Sequence, residues 1–214
     1  GSFSERKLQF AWVVEIKIME PHSFIMIGRA GCGKGAQSDL LVKYFKEQKL
    51  GELIYIYTGQ KMRELIRRDT SYTSKLAGDI MERGGIEPNF FSVWAWSDEL
   101  VKNLKADTHL VLDGSPRAMV EAVIVDGALN FYNRKKVFPI FIETSRDLSK
   151  KRLVARGRSD DTEEAINERL DYFDECIMPV VNYYEKESRY KLVRVDGDQD
   201  VEKVHQEILE KIFK

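Results

Sequence analysis

Gly28-Arg29-Ala30-Gly31-Cys32-Gly33-Lys34-Gly35 is the stretch that decides how this chain is read. Before it lies the apolar run Ser23-Phe24-Ile25-Met26-Ile27. After it, Leu40, Leu41, Tyr44 and Phe45 share one face of a 3.6-residue period that Gly51 closes. The glycines therefore sit where a strand gives way to a helix N-terminus. That junction suits phosphate: glycines let successive backbone N–H groups curl around an oxyanion, the helix dipole adds partial positive charge, and Lys34 has the reach for β and γ phosphates. The loop departs from the usual pattern at one point. A Ser or Thr hydroxyl normally follows the lysine and holds Mg2+, whereas here Gly35 and Ala36 follow.

Working outward, four further β-rich runs alternate with helical patterns: Leu53 to Tyr57, His109 to Leu112, Val137 to Ile142 and Leu192 to Val195. Most are nearly continuous apolar runs, as expected for parallel strands covered by helices on both faces, so the class is α/β, doubly wound. The third run leads into Asp113-Gly114-Ser115-Pro116-Arg117. An acid at that carboxyl edge can hold hydrated Mg2+; the alternative is that Asp113 caps the next helix. A cis bond is expected at Ser115-Pro116, since tight turns are where such bonds are retained. Gly59 to Arg83 is charged and helical, longer than a crossover requires, and reads as a small insert. Lys150 to Asp161 is a basic helix running into a short loop, with a new helix from about Thr162.

The chain has 214 residues, 43% hydrophobic and 32% charged, which suits one large globular domain. Lys plus Arg number 34 against 35 for Asp plus Glu, so no broad nucleic-acid footprint is expected and any anion site must be local. No apolar stretch approaches the roughly 18 residues that cross a bilayer, and no signal peptide is visible, so no membrane partner and a cytoplasmic location are expected. Cys32 and Cys176 are the only cysteines, too few for a four-cysteine zinc site. His22, His109 and His205 read as structural or surface residues. Gly1-Ser2 reads as an expression scar within an N-terminal extension over 1–21, in which Phe10 to Ile18 partly alternates like an added edge strand.

Taken together, the glycine loop, Asp113-Gly114-Ser115-Pro116-Arg117 and Arg158-Ser159-Asp160-Asp161 resemble, in order and spacing, the adenylate kinase family of nucleoside monophosphate kinases. The resemblance covers about residues 22–214. It implies a phosphate-loop fold with five parallel strands in the order 2-3-1-4-5, a monophosphate-binding insert over 58–87 and a short lid over 152–165. It also implies a monomer that transfers the γ-phosphoryl of Mg-ATP to a nucleoside monophosphate, with AMP as the expected acceptor. ATP would be held by Gly31, Cys32, Gly33, Lys34, Gly35 and Ala36, by Arg152 and Arg156, and by the Val195-Asp196-Gly197-Asp198 turn through Gly197. The monophosphate would be held by Thr58, Arg63, the Gly85-Ile86-Glu87-Pro88 backbone at Ile86, Arg117, Glu121, Arg158 and Arg169. Lys34, Arg117, Arg156, Arg158 and Arg169 would be the catalytic set, with Asp113 on Mg2+ through water and no zinc.

Four departures bear on what the resemblance implies. Glu121 stands where family members using AMP have Gln and those preferring pyrimidines have Asn. An ionised carboxylate only accepts, so Glu121 is expected to pair better with a guanine edge than with adenine, and GMP, CMP and UMP stay open beside AMP. Ala36 replaces a threonine and Gln60 an aspartate, and the lid is shorter than in the family's short-lid members. A nucleotide-binding regulator without transfer, or an ATPase working without an acceptor, are the rival readings.

Overall fold

β1 (His22–Ile27) is buried along its whole length, and its alternation explains the layering. Phe24 and Met26 point into one core with Leu41, Phe45, Val204 and Ile208. Ile25 and Ile27 point into the other with Trp96, Leu100, Val125 and Tyr184. A strand apolar on both faces can only be stable with helices on both sides. The computed structural model describes residues 20–83, 85–158 and 161–214, so the edge strand expected over Phe10 to Ile18 lies outside the described residues.

The other strands are β2 (Leu53–Tyr57), β3 (His109–Asp113), β4 (Lys136–Glu143) and β5 (Val193–Asp196). They form one parallel sheet in the order β2-β3-β1-β4-β5, as the resemblance implied. The expected strand ends were short by a residue at Asp113, Glu143 and Asp196. Each of these acids continues the ladder, with Met26 pairing Asp113 and Glu143 pairing Asp196. Backbone pairing does not depend on side-chain polarity, so hydropathy alone marks the strand ends too early.

α1 (Lys34–Glu47) and α9 (Val201–Phe213) cover one face. α4 (Asn89–Asn103), α5 (Met119–Phe131) and α8 (Met178–Lys186) cover the other. Between β2 and α4 the chain forms α2 (Thr58–Arg68) and α3 (Tyr72–Glu82), which share a small core with the start of α4, built of Met62, Ala77, Phe91 and Ala95. The break between α2 and α3 is local chemistry: the Ser71 hydroxyl accepts from Ser74 N–H, and Asp69 Oδ1 accepts from Ser71 N–H. α6 (Arg146–Arg156) ends at Gly157, and α7 (Glu163–Tyr172) starts under a Thr162 cap, close to the expected Thr162 start. A π-helical turn, Phe173–Ile177, joins α7 to α8.

At the opposite end of the sheet from the glycine loop, Arg134 is 4% exposed and donates to Ser23 Oγ and to the His22 and Thr108 carbonyls. That arginine is structural. His109 is as well: its Nδ1 accepts from His22 N–H, so Nε2 carries the proton that meets the Leu50 carbonyl. Burial pulls its pKa down to about 4, which keeps the ring neutral near pH 7. Among the described residues no helix is long and apolar enough to cross a membrane.

Candidate functional site

The carboxyl ends of β1, β2 and β3 open onto one cleft of about 760 Å³, the place where open parallel sheets bind ligands. The glycine loop forms its floor. Gly31 has φ 83°, and a Cβ there would stand 2.6 Å from the Ser149 carbonyl, so only glycine lets the loop pass this close to α6. Ala30 packs against Leu153, Ile166 and Leu170, which ties the loop to α6 and α7. Lys34, the first residue of α1, folds back over the loop, and its Nζ donates to the Gly28 carbonyl at 2.7 Å and the Arg29 carbonyl at 2.9 Å.

Asp113 stands at the end of β3 beside Met26 and Tyr57 in the sheet register. It does not cap α5, whose N-cap is Ala118. Its Oδ2 instead accepts from Tyr55 Oη at 3.0 Å. A side chain on Gly35 would begin 3.9 Å from that oxygen and 4.0 Å from the Tyr55 hydroxyl. The position that usually carries a hydroxyl after the lysine therefore faces a hydroxyl supplied by β2. Burial pushes the Asp113 carboxyl up, while Lys34 and the Tyr55 bond act to hold it down.

All six arginines singled out in the sequence line this one cleft: Arg63, Arg117, Arg152, Arg156, Arg158 and Arg169. With Lys34 they make seven cations among the described lining residues, against three acids, Asp39, Glu87 and Asp113, in a chain whose net charge is −1; Asp161, outside that lining, pairs with two of them. Arg117 is fixed by its turn. Its Nε donates to the Gly114 carbonyl at 2.7 Å, and a Cβ on Gly114 would lie 3.2 Å from Arg117 Nη2 and 3.6 Å from Thr58 Cβ. The peptide bond Ser115-Pro116 in this turn is cis, as expected. Arg63 lies over the Tyr57 ring and Arg158 Nη1 reaches Tyr57 Oη at 3.5 Å. Burial alone would raise the Tyr57 phenol, but these two guanidinium groups bring it below its ordinary range.

Across the cleft, Asp161 holds two arginines at once. Arg156 grips it as a fork, Nε to Oδ2 at 2.9 Å and Nη2 to Oδ1 at 2.7 Å, and Arg169 Nη1 donates to Oδ1 at 2.8 Å. The Asp161 side chain is 1% exposed. Burial works to raise its pKa and the Arg156 bond and both charges outweigh it, so the carboxylate stays ionised. Arg152 is set by different partners: it donates to the Gly197 carbonyl at 3.0 Å, the Gln199 carbonyl at 3.2 Å and the Cys32 carbonyl at 3.5 Å. The glycine loop, α6 and the turn after β5 meet there. Gly197 and Cys32 thus take part through backbone, and the Cys32 side chain is buried. Gly33, Gly35 and Ala36 line the cleft directly.

Two sequence expectations change in the acceptor half. Thr58 is fully buried, and its hydroxyl bonds Ser115 Oγ at 3.2 Å. Glu121, expected to read a base, is 1% exposed and lies behind the 114–117 turn, not among the cleft-lining side chains. Its Oε2 accepts from Arg117 N–H at 3.0 Å, and burial pushes its carboxyl up while that bond acts to hold it down. The physical reason is the turn itself, whose free N–H needs an acceptor at the start of α5. Ile86 lines the cleft as expected, and so does its neighbour Glu87, in a segment whose expected contribution was backbone alone. The signal was present: Glu87 stands at the valine of the Gly-x-Val-Pro pattern. Asp161 belongs to the Arg158-to-Asp161 motif but had no expected role of its own, and its role is visible only where Arg156 and Arg169 converge on it.

The model of the adenylate kinase family matches residues 26–189. The adenylate kinase of Leuconostoc mesenteroides is 30% identical over 188 residues, spanning 88% of this chain and 95% of that protein. An adenylate kinase of Prochlorococcus marinus is 31% identical over 84% of this chain and 93% of its own. The uridylate kinase of Saccharomyces cerevisiae is 30% identical over 87% of this chain and 88% of its own length.

Proposed function

The chain belongs to the adenylate kinase family and is a nucleoside monophosphate kinase, and on that premise we propose that its cleft aligns the γ-phosphoryl of ATP with the phosphate of a nucleoside monophosphate. The observation that carries the reading is the charge of the cleft, whose described lining has seven cations against three acids, with Asp161 pairing two of the seven, in a nearly neutral chain. Phosphoryl transfer between two polyanions asks for this arrangement. The acceptor phosphate is already an anionic nucleophile, so no strong general base is required. What the reaction needs is positioning and offset of charge repulsion.

In this reading the backbone of 31–36 and Lys34 hold the donor phosphates, and Arg152 with the Gly197 turn lies at the donor base. Thr58, Arg63 and Ile86 on the α2–α3 insert over 58–87, with Arg117 from the turn after β3, form the acceptor side. Arg156 and Arg158, from a lid over 152–165, and Arg169, from α7, surround the transferring group. Thr58 acts through Ser115 and the position of the turn, because its hydroxyl faces inward. The residues present fit a magnesium ion: Asp113 and Asp39 offer hard oxygen donors at the cleft, and no cluster of three metal-ligating side chains exists among the described residues, so phosphate oxygens and water would complete the shell. When bound, Mg2+ would offset phosphate charge.

AMP is the first acceptor to test, because two of the relatives described above are adenylate kinases. The third is a uridylate kinase. One feature of this chain, the unpartnered Glu87 carboxyl in the cleft wall, favours GMP. A coupled assay with Mg-ATP and each of AMP, GMP, CMP and UMP tests the reaction. Diphosphate formed with one of them is expected. Nucleotide binding with no diphosphate from any would replace the kinase reading with that of a regulator, and phosphate release independent of monophosphate would indicate an ATPase.

The Asp161 clamp makes a further prediction. Asp161→Ala releases Arg156 and Arg169 from their shared anchor, and kcat should fall roughly 10- to 100-fold, the scale of losing alignment without losing the charges themselves. Steady-state kinetics check this; an unchanged kcat would mean that the arginines find their places without Asp161.

A further inference from the structure

Glu87 sits between Ile86 and Pro88, at the foot of α4, and is 9% exposed. Both of its carboxyl oxygens are buried without a hydrogen-bond partner. It is one of the residues lining the cleft, as are Met81 and Ile86, and Arg117 is the cation that acts on it. A buried carboxyl with neither oxygen satisfied is costly, and a site retains one at this cost where a ligand brings the missing donors. Glu121 differs: it is not among the cleft-lining residues, and its Oε2 already accepts from Arg117 N–H.

The kind of donor follows from the acceptor pair. Two oxygens side by side on one carboxylate are matched by two adjacent N–H groups on one planar edge. Guanine has that edge, with N1–H beside the 2-amino group. Adenine sets one amino group beside an acceptor nitrogen, cytosine does the same, and uracil has one N–H between two carbonyls. The ionised carboxylate, the form that prevails above about pH 7, meets an acceptor in each of these three. We propose that Glu87 is the specificity-determining residue of the acceptor site and selects a guanine base, so that the preferred acceptor is GMP. The inference rests on the kinase reading above for the identity of the cleft, and it concerns only which base the acceptor half admits.

The test uses the wild-type protein, Glu87→Gln and Glu87→Val, with AMP, GMP and inosine monophosphate, which lacks the 2-amino group. Both kcat/KM at saturating Mg-ATP and direct binding by titration calorimetry are measured at pH 8, where the carboxyl is ionised. The wild type should favour GMP over AMP and over inosine monophosphate by about 10- to 100-fold, the value of a hydrogen bond to a charged group. In Glu87→Val the preference for GMP over inosine monophosphate should collapse towards one, through KM for the monophosphate, with KM for ATP unchanged. In Glu87→Gln the ratio should move towards AMP, because the amide both donates and accepts; this near-isosteric change keeps the test open if the valine variant fails to fold. A wild type that prefers AMP, or a GMP preference untouched by both substitutions, overturns the proposal. Base-selective binding that the variants lose, with no diphosphate formed, would uphold Glu87 and remove the transfer reading. Transfer to AMP without any preference for GMP would do the reverse.

Discussion

Lys34→Met is expected to lower turnover by about a hundred- to a thousandfold while leaving the melting temperature within a few degrees of wild type. The size follows from removing one preorganised cationic donor from a site where charge accumulates in the transition state. The small effect on stability follows from what Lys34 touches. Its Nζ donates to the carbonyls of Gly28 and Arg29, and it lies along a cleft that water reaches, so those acceptors are resolvated when the ammonium is gone. Methionine keeps the length of the stem and its helix propensity at the first turn of α1. Steady-state turnover and a thermal melt on the same preparation decide the matter. Unchanged turnover would take Lys34 out of the mechanism, and a collapse of the melting temperature would show that the loop depends on it to fold.

Glu87→Gln is expected to stabilise the protein without nucleotide, by about 2 to 3 kcal/mol at pH 8 and by little at pH 4.5. Burial pushes the Glu87 carboxyl up to about 7 from an ordinary value of 4.5, with Arg117 only partly opposing it. Between those two values the folded protein holds a proton that the unfolded chain has released. The folded state therefore loses stability as pH rises through that window, and the loss is complete above pH 7. Each tenfold difference in proton affinity between the folded and unfolded chains is worth about 1.4 kcal/mol, and water reaching the cleft wall reduces the total. Glutamine has nothing to ionise and escapes it. His109 acts over a similar window with the opposite sign. Its pKa is lowered to about 4, so its contribution is present above about 6.5 and lost as pH falls. Both proteins carry His109, so the difference between their denaturant-unfolding free energies at the two pH values isolates Glu87. A difference that does not grow with pH would mean that the carboxyl is already paired. The paired result, gain of stability with loss of base selectivity, is the pattern expected of a group held for binding and not for folding.

How far the sequence could be read differs from residue to residue. The loop from Gly28 to Gly35, the strand before it and the helix after it were legible, because each depends on a short window: hydropathy period, glycine spacing and the start of a helix. The six arginines were legible as a set through their register with the family, and the structure brings all of them to one cleft. The spacing of Glu121 from Arg117 suggests a side chain facing a base. Spacing along a helix places a residue on a turn of that helix but leaves open whether the side chain faces the cleft or the turn behind it, and the N–H of Arg117 draws it inward. Tyr55 lies far from Gly35 in sequence, and nothing in either segment announces that one hydroxyl stands where the other position lacks one.

By itself, then, the chain specified a doubly wound parallel sheet with an anion-binding turn at the end of its first strand, since local backbone preference and burial pattern are encoded within a dozen residues. Tertiary structure alone decided that Asp161 ties Arg156 to Arg169, that Tyr55 serves Asp113, and that Glu87 and not Glu121 is among the residues lining the cleft. Those outcomes depend on where side chains from separate segments point once the helices have docked, and the direction of a side chain is set by its neighbours in space.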